Sequence, residues 1–116
     1  MDYTKHLSEP WLSLIKLKKK TVEGRLCKGE FASMKHGDKI KFTNNDFGIQ
    51  RSFTVKVVKT VLYESLNDYL EGEKLDKCLP GIDNISNGIK ICRSYYTYEQ
   101  ERMSGIVAIR MRLDDK

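Results

Sequence analysis

The chain has 116 residues, 40% hydrophobic and 32% charged, with 21 Lys/Arg against 16 Asp/Glu and a net charge of +5. This is the size of one domain that buries a core without staples, and a single domain over residues 1–116 is expected. No run of ~18 apolar residues is present, which excludes a helical membrane span, and the acidic start MDYTKHLSEPWL lacks the apolar region of a secretory signal.

Pro10 followed by WLSLIKLKK opens a first helix, since proline is tolerated in the first turn and Ser8 or Glu9 can serve the free N–H groups. Trp11, Leu14 and Ile15 fall at helical spacing, and the helix is expected to end near Lys19. Thr21 to Leu26 alternates and reads as a strand. A turn at Gly37-Asp38 feeds a second strand with Ile40 and Phe42 on one face. From Arg51 a third strand places Phe53, Val55 and Val57 inward. The Val57-Val58 doublet breaks its period, which predicts a bulge and a bend, after which Val58, Thr60 and Leu62 share a face.

ESLNDYLEG predicts a short helix packing Leu66, Tyr69 and Leu70, with Gly72 just past its end. The stretch KLDKCLPGIDNISNG reads as loop with room for one helical turn. Ile85, Ile89, Cys92 and Tyr96 then share a helical stripe, which predicts one helix from about Ser86 to Glu101. Gly105 opens the last strand, with Val107, Ile109, Met111 and Leu113 on one face and Arg110 and Arg112 on the other. The order α, β, β, β, α, α, β, with long alternating strands, argues for class α+β: a small, largely antiparallel β-barrel decorated by short helices. A Rossmann-type sheet is excluded by the lack of βα alternation and of GxGxxG.

Cys27, Cys78 and Cys92 are far apart with no CxxC pair, and only His6 and His36 could join them as metal ligands. Reduced, packed thiols in an intracellular protein, cytoplasmic or nuclear, follow, with no metal and no cofactor. The charge is uneven: residues 1–60 hold 13 Lys/Arg against 6 Asp/Glu, and residues 61–116 hold 8 against 10. A positive half of this kind suits a polyanionic partner.

Lys16 and Lys19 read as a solvated helix end, favourable beside the last carbonyls. Lys20 is a candidate ligand group or general base: burial and the like charges of Lys18 and Lys19 favour its neutral form, while Glu23 opposes this. Glu23 and Arg25 are two apart on a strand and share a face, so Glu23 can orient Arg25 and leave its guanidinium fork for a phosphate or base edge. Tyr95, with Arg93 beside it, is the candidate for stacking on a base. Tyr96 belongs to the helix's apolar stripe, Trp11 to the core or a cleft wall, and His36 to a turn. Arg110 and Arg112 would widen a basic surface.

PWLSLIKLKKKTVEGRL, GDKIKF, FTVKVV, SLNDYL and YYTYEQERMSGIVAI, in this order, resemble the ASCH domain, a PUA-like β-barrel family. Its GxKxxExR signature is met by Lys20, Glu23 and Arg25, while its glycine falls at Lys18, and the loop from Lys74 to Gly88 is longer than expected. The resemblance implies a PUA-like barrel that binds RNA or a modified nucleoside or nucleotide in a cleft beside the signature; together with the residues read above, the expected ligand residues are Lys18, Lys20, Glu23, Arg25, Arg93 and Tyr95. It also implies an enzymatic alternative. Some bacterial members are amidohydrolases on N4-acylated cytidine, in which the signature lysine activates a threonine three residues on. Here that position is Glu23, and Glu23 with Lys20 would be catalytic only if the chain is such a hydrolase or a ribonuclease, an activity also described for a related member. An adaptor domain that binds another protein is the second alternative. Oligomeric state is left open, with a monomer the simplest form.

Overall fold

A computed structural model describes residues 1–114. Its elements are β1 (Asp2–His6), α1 (Trp11–Lys16), β2 (Val22–Leu26), β3 (Lys39–Asn44), β4 (Arg51–Tyr63), α2 (Leu66–Glu73), α3 (Leu75–Cys78), α4 (Ile85–Arg93), α5 (Tyr98–Ser104) and β5 (Ile106–Leu113), with short 3-10 turns at Gly29–Ser33 and Asp46–Gly48. One five-stranded sheet runs in the order β1-β3-β4-β5-β2. β1 lies parallel to β3, and the other neighbours are antiparallel.

The class and the largely antiparallel pairing agree with expectation, but the barrel closes only halfway. β1 and β2 form the two edges of the described sheet and do not pair with each other. The sheet curls as the Val57-Val58 doublet predicts: pairing passes from Val57 opposite Met111 directly to Lys59 opposite Arg110, leaving Val58 as the bulged residue. Beyond it Leu62 is exposed. β1 was not expected from the sequence, because only Tyr3 of its five residues is buried and no alternation shows.

The core centres on Ile40, Phe42, Val55, Val57, Leu66, Leu70, Ile106 and Ile109, all buried. Phe53 is half-buried and meets Phe42 edge-on with ring centroids 6.4 Å apart. Alternation fails at the start of β5, where Ile106, Val107, Ala108 and Ile109 are all buried. Helices cover that end of the strand on the face that would otherwise meet water.

Two helix boundaries differ from expectation for local reasons. Gly72 lies inside α2, where a Cβ would come within 2.6 Å of the Tyr63 ring, and α2 continues to Glu73. The helix expected over Ser86–Glu101 is two helices. Thr97 accepts from the Gln100 N–H while the Gln100 side chain accepts from the Thr97 N–H, a capping box that starts α5 afresh. Tyr96 therefore leaves the helical stripe and sits in the connection, its hydroxyl reaching the Gly24 carbonyl at 3.3 Å.

α1 ends at Lys16, earlier than Lys19, in a Schellman turn. The Lys18 N–H donates to the Ile15 carbonyl and the Lys19 N–H to the Leu14 carbonyl, both at 2.9 Å. This turn needs a left-handed residue, and Lys18 fills that place with φ 65°. The signature's glycine thus has its physical reason at the position where this chain carries lysine. Lys18→Gly should raise stability by up to ~1 kcal/mol, left-handed strain being relieved against glycine's larger unfolded-state entropy. Urea unfolding of the two proteins checks this; a loss of stability would contradict it.

Candidate functional site

The unclosed side of the half-barrel is a cleft. One wall is the end of β1 and the residues after it, His6, Leu7 and Ser8, with Trp11 of α1; the other is β2 with Lys20, Glu23, Gly24 and Arg25. Tyr69, Leu79, Ile91 and Cys92 form the floor, Tyr95 and Tyr96 stand at the rim, and the space measures about 290 Å³. Two contacts bridge the opening: Arg25 Nη2 donates to the His6 carbonyl at 3.0 Å, and the hydroxyls of Ser8 and Tyr95 lie 2.7 Å apart.

The chain enters this wall straight from the Schellman turn, which directs Lys20 inward. Lys20 is only 3% exposed. Its Nζ donates to the carbonyls of Val22, at 2.6 Å, and Cys78, and lies 3.1 Å from Glu23 Oε1. These three acceptors match the three N–H donors of an ammonium. The lysines expected to crowd Lys20 do not join it in the cleft: Lys16, Lys18 and Lys19 are exposed, and Lys18 shares with Lys20 only the lining of a second cavity.

Glu23 Oε2 accepts from Arg25 Nε at 2.6 Å, so the carboxylate sits between two cations, as its place on the same strand face predicts. Burial would push this carboxyl up, but Lys20 and Arg25 together outweigh it and hold Glu23 below the usual carboxylate range. Burial likewise opposes the charge on Arg25, and Glu23 reverses this to raise it. The guanidinium also stacks on Phe31, 4.9 Å from the ring centroid. Among the described residues its Nη1 has no hydrogen-bond partner.

Tyr69 is buried beneath β2, and a side chain at position 24 would collide with it: a Cβ there would stand 2.4 Å from Tyr69 Cζ. Glycine inside a strand often marks such a close approach, a signal present in KTVEGR. Burial pushes the Cys78 and Cys92 thiols up to about 11, so both are packed, unreactive thiols. Among the described residues no group of three His, Cys, Asp or Glu side chains is placed to hold a metal, and no helix is long and apolar enough to cross a membrane.

Of the residues singled out from the sequence, the fold brings Lys20, Glu23, Arg25 and Tyr95 to one cleft. Arg93 goes elsewhere: Nη1 donates to Glu101 Oε1 at 2.7 Å and the guanidinium lies over Tyr98, so it does not line the cleft. Arg110 adds no open basic surface, because Glu73 receives it at 2.8 and 2.9 Å. His36 is a turn residue, with Nδ1 2.9 Å from the Val58 carbonyl. Sequence reasoning missed His6, Leu7 and Ser8, which reach the site only through the unforeseen β1.

A family model for the ASCH domain matches residues 6–114, nearly the whole chain. The chain belongs to the ASCH domain family. Its half-barrel is thus one of the PUA-like superfamily. The crystal structure of a hypothetical protein, PH0355, matches this ASCH domain with a TM-score of 0.87 at 35% identity, over 97% of this chain and 99% of that one. The solution structure of PF0455 from Pyrococcus furiosus matches with a TM-score of 0.79 at 36% identity over the full length of both chains. No protein of curated function matches.

Proposed function

We propose that this chain, acting as one ASCH domain, binds RNA or a modified nucleotide through the cleft between β1 and β2. The observation that carries this is the Lys20–Glu23–Arg25 network in the cleft wall. A buried carboxylate holds Arg25 at the mouth with one face of its guanidinium unspent, and the half-exposed Tyr95 stands opposite. The volume suits a single nucleoside, since pockets for small ligands begin at roughly 300 Å³. RNA binding is the general property of ASCH domains, and the basic first half of the chain supports a polyanionic ligand.

The hydrolytic reading has less support. Lys20 spends its donors on two carbonyls and Glu23, and both Glu23 oxygens are engaged, so neither is set to activate a water or a nucleophile. No particular contact favours an adaptor role.

The test is fluorescence anisotropy with labelled single-stranded RNA. Wild-type protein should bind, with affinity falling steeply as salt rises. Arg25→Ala should weaken binding about tenfold or more, the loss expected for a charge-assisted hydrogen bond, and Tyr95→Ala by a comparable factor if it stacks on a base. Mass analysis of the same RNA should show it intact. Intact RNA that never binds would remove the polymer and leave the free nucleoside as ligand. Cleavage dependent on Lys20 would overturn the binding reading.

A further inference from the structure

A second cavity, about 560 Å³, lies on the other side of Lys20. Its floor is Ile15, Met111 and Leu113, and its rim carries Lys18, Lys56 and Arg112. The sheet register makes this rim costly. Lys56 on β4 stands directly opposite Arg112 on β5 and directly opposite Lys39 on β3. Like charges paired across neighbouring strands, with Cβ atoms ~4.5–5.5 Å apart, repel each other.

The rest of the molecule shows how the chain treats its arginines. Arg25, Arg51, Arg93, Arg102 and Arg110 each meet a glutamate. Among the described residues the side chains of Arg112 and Lys56 make neither an ion pair nor a hydrogen bond. The acid in the lining, Asp114, is drawn to Lys39 at 3.0 Å. Two adjacent cations are therefore left on the rim of this partly apolar cavity.

We propose that this cavity is a phosphate-binding site, separate from the cleft, in which Arg112 and Lys56 grip the anion together. A phosphate between them turns their mutual repulsion into two attractions, and the guanidinium fork matches two phosphate oxygens. Thr21 on the lining adds a hydroxyl donor. The site stands whether or not the cleft takes a base. If it does, Lys20 forms part of both linings, so a nucleotide in the cleft and a phosphate here would lie on the two sides of one side chain.

The test is amide NMR of the full chain titrated with inorganic phosphate at low salt, for the wild type and for the double variant Lys56→Gln with Arg112→Gln. Saturable shifts gathered at residues 21, 56 and 111–114, absent from the double variant, are expected. Thermal unfolding gives the second reading: phosphate should raise the wild-type Tm and leave that of the variant unmoved, while the variant without phosphate should be no less stable than the wild type. Shifts that never saturate, that spread evenly over the surface lysines, or that persist in the variant would overturn the site. Cytidine, which carries no phosphate, reports on the cleft alone, and its shifts near Arg25 and Tyr95 should be the same in both proteins. Absent cytidine shifts with intact phosphate binding would fail the cleft and leave this site standing. With a six-nucleotide RNA, a loss of about tenfold in the variant identifies backbone phosphate as the occupant. An unchanged RNA affinity beside lost phosphate binding identifies a free phosphate or phosphorylated small molecule.

Discussion

Glu23→Gln should lower folding stability by about 3–5 kcal/mol at neutral pH, the cost of removing one partner from a buried ion network. The substitution keeps the shape of the side chain and removes the charge that lies between Lys20 and Arg25. Lys20 is only 3% exposed, so its charge would be left to neutral acceptors alone, with no anion beside it. The effect carries a pH signature whose direction is set by the lowered carboxyl of Glu23. A carboxyl held below its unfolded value stabilises the fold in full above that unfolded value, and the contribution disappears as pH falls through the folded one. The gap between wild type and Glu23→Gln should therefore be constant near neutrality, shrink below about pH 4.5 and close at lower pH. Glu9 and Glu73 are also held low, but their contributions are common to both proteins and cancel in the difference. Urea unfolding at several pH values measures the gap. A gap under ~1 kcal/mol, as for an exposed pair, or one indifferent to acid, would mean that the network does not anchor this wall.

Gly24→Ala should also be destabilising, for a steric reason. The added methyl carbon would stand 2.4 Å from Tyr69 Cζ, 2.6 Å from Cε2 and 2.7 Å from the hydroxyl oxygen. Tyr69 is 2% exposed and its ring packs edge-on to Tyr63 at 6.2 Å, so it has little room to retreat. Overfilling a packed core of this kind costs about 1–3 kcal/mol. Tyr69 also floors the cleft, and Gly24 provides the carbonyl that receives Tyr96. Ligand binding should therefore fall together with stability. The cause can be isolated by adding Tyr69→Leu: with the ring gone, Gly24→Ala should cost much less than in the wild type, a non-additivity expected only of groups in contact. Equal costs in both backgrounds would place the effect in the backbone of β2 instead.

Much of this was written locally in the chain. Alternation located β2 to β5, the Val57-Val58 doublet announced the bulge, and the spacing of Glu23 and Arg25 put them on one strand face, where they meet at 2.6 Å. The resemblance to the family placed the signature's glycine at Lys18, so the turn there is made without it, and Lys18 takes φ 65°. The strands, the bulge and the shared face are properties of neighbouring residues, and a period of 2 reports them without knowledge of the rest of the fold. The split between α4 and α5 was also local, in Thr97 and Gln100, but the apolar stripe running on to Tyr96 hid it.

Only the tertiary structure decided the rest. A strand with one buried side chain, β1, has no pattern of its own and exists because β3 offers it an edge. The sequence set Lys20 apart from Lys16 and Lys19, but which groups hold its ammonium was decided by the fold, through the carbonyl of Cys78, 58 residues away. Arg93, a ligand candidate, was claimed by Glu101 on the next helix, and Arg110, a candidate for open basic surface, by Glu73, 37 residues away. Arg112, on the same strand face as Arg110, was left beside Lys56. A residue's type sets the interactions it can make, but which partner it meets depends on strand order and helix placement. Those are settled by burying the core, to which the charged residues contribute least.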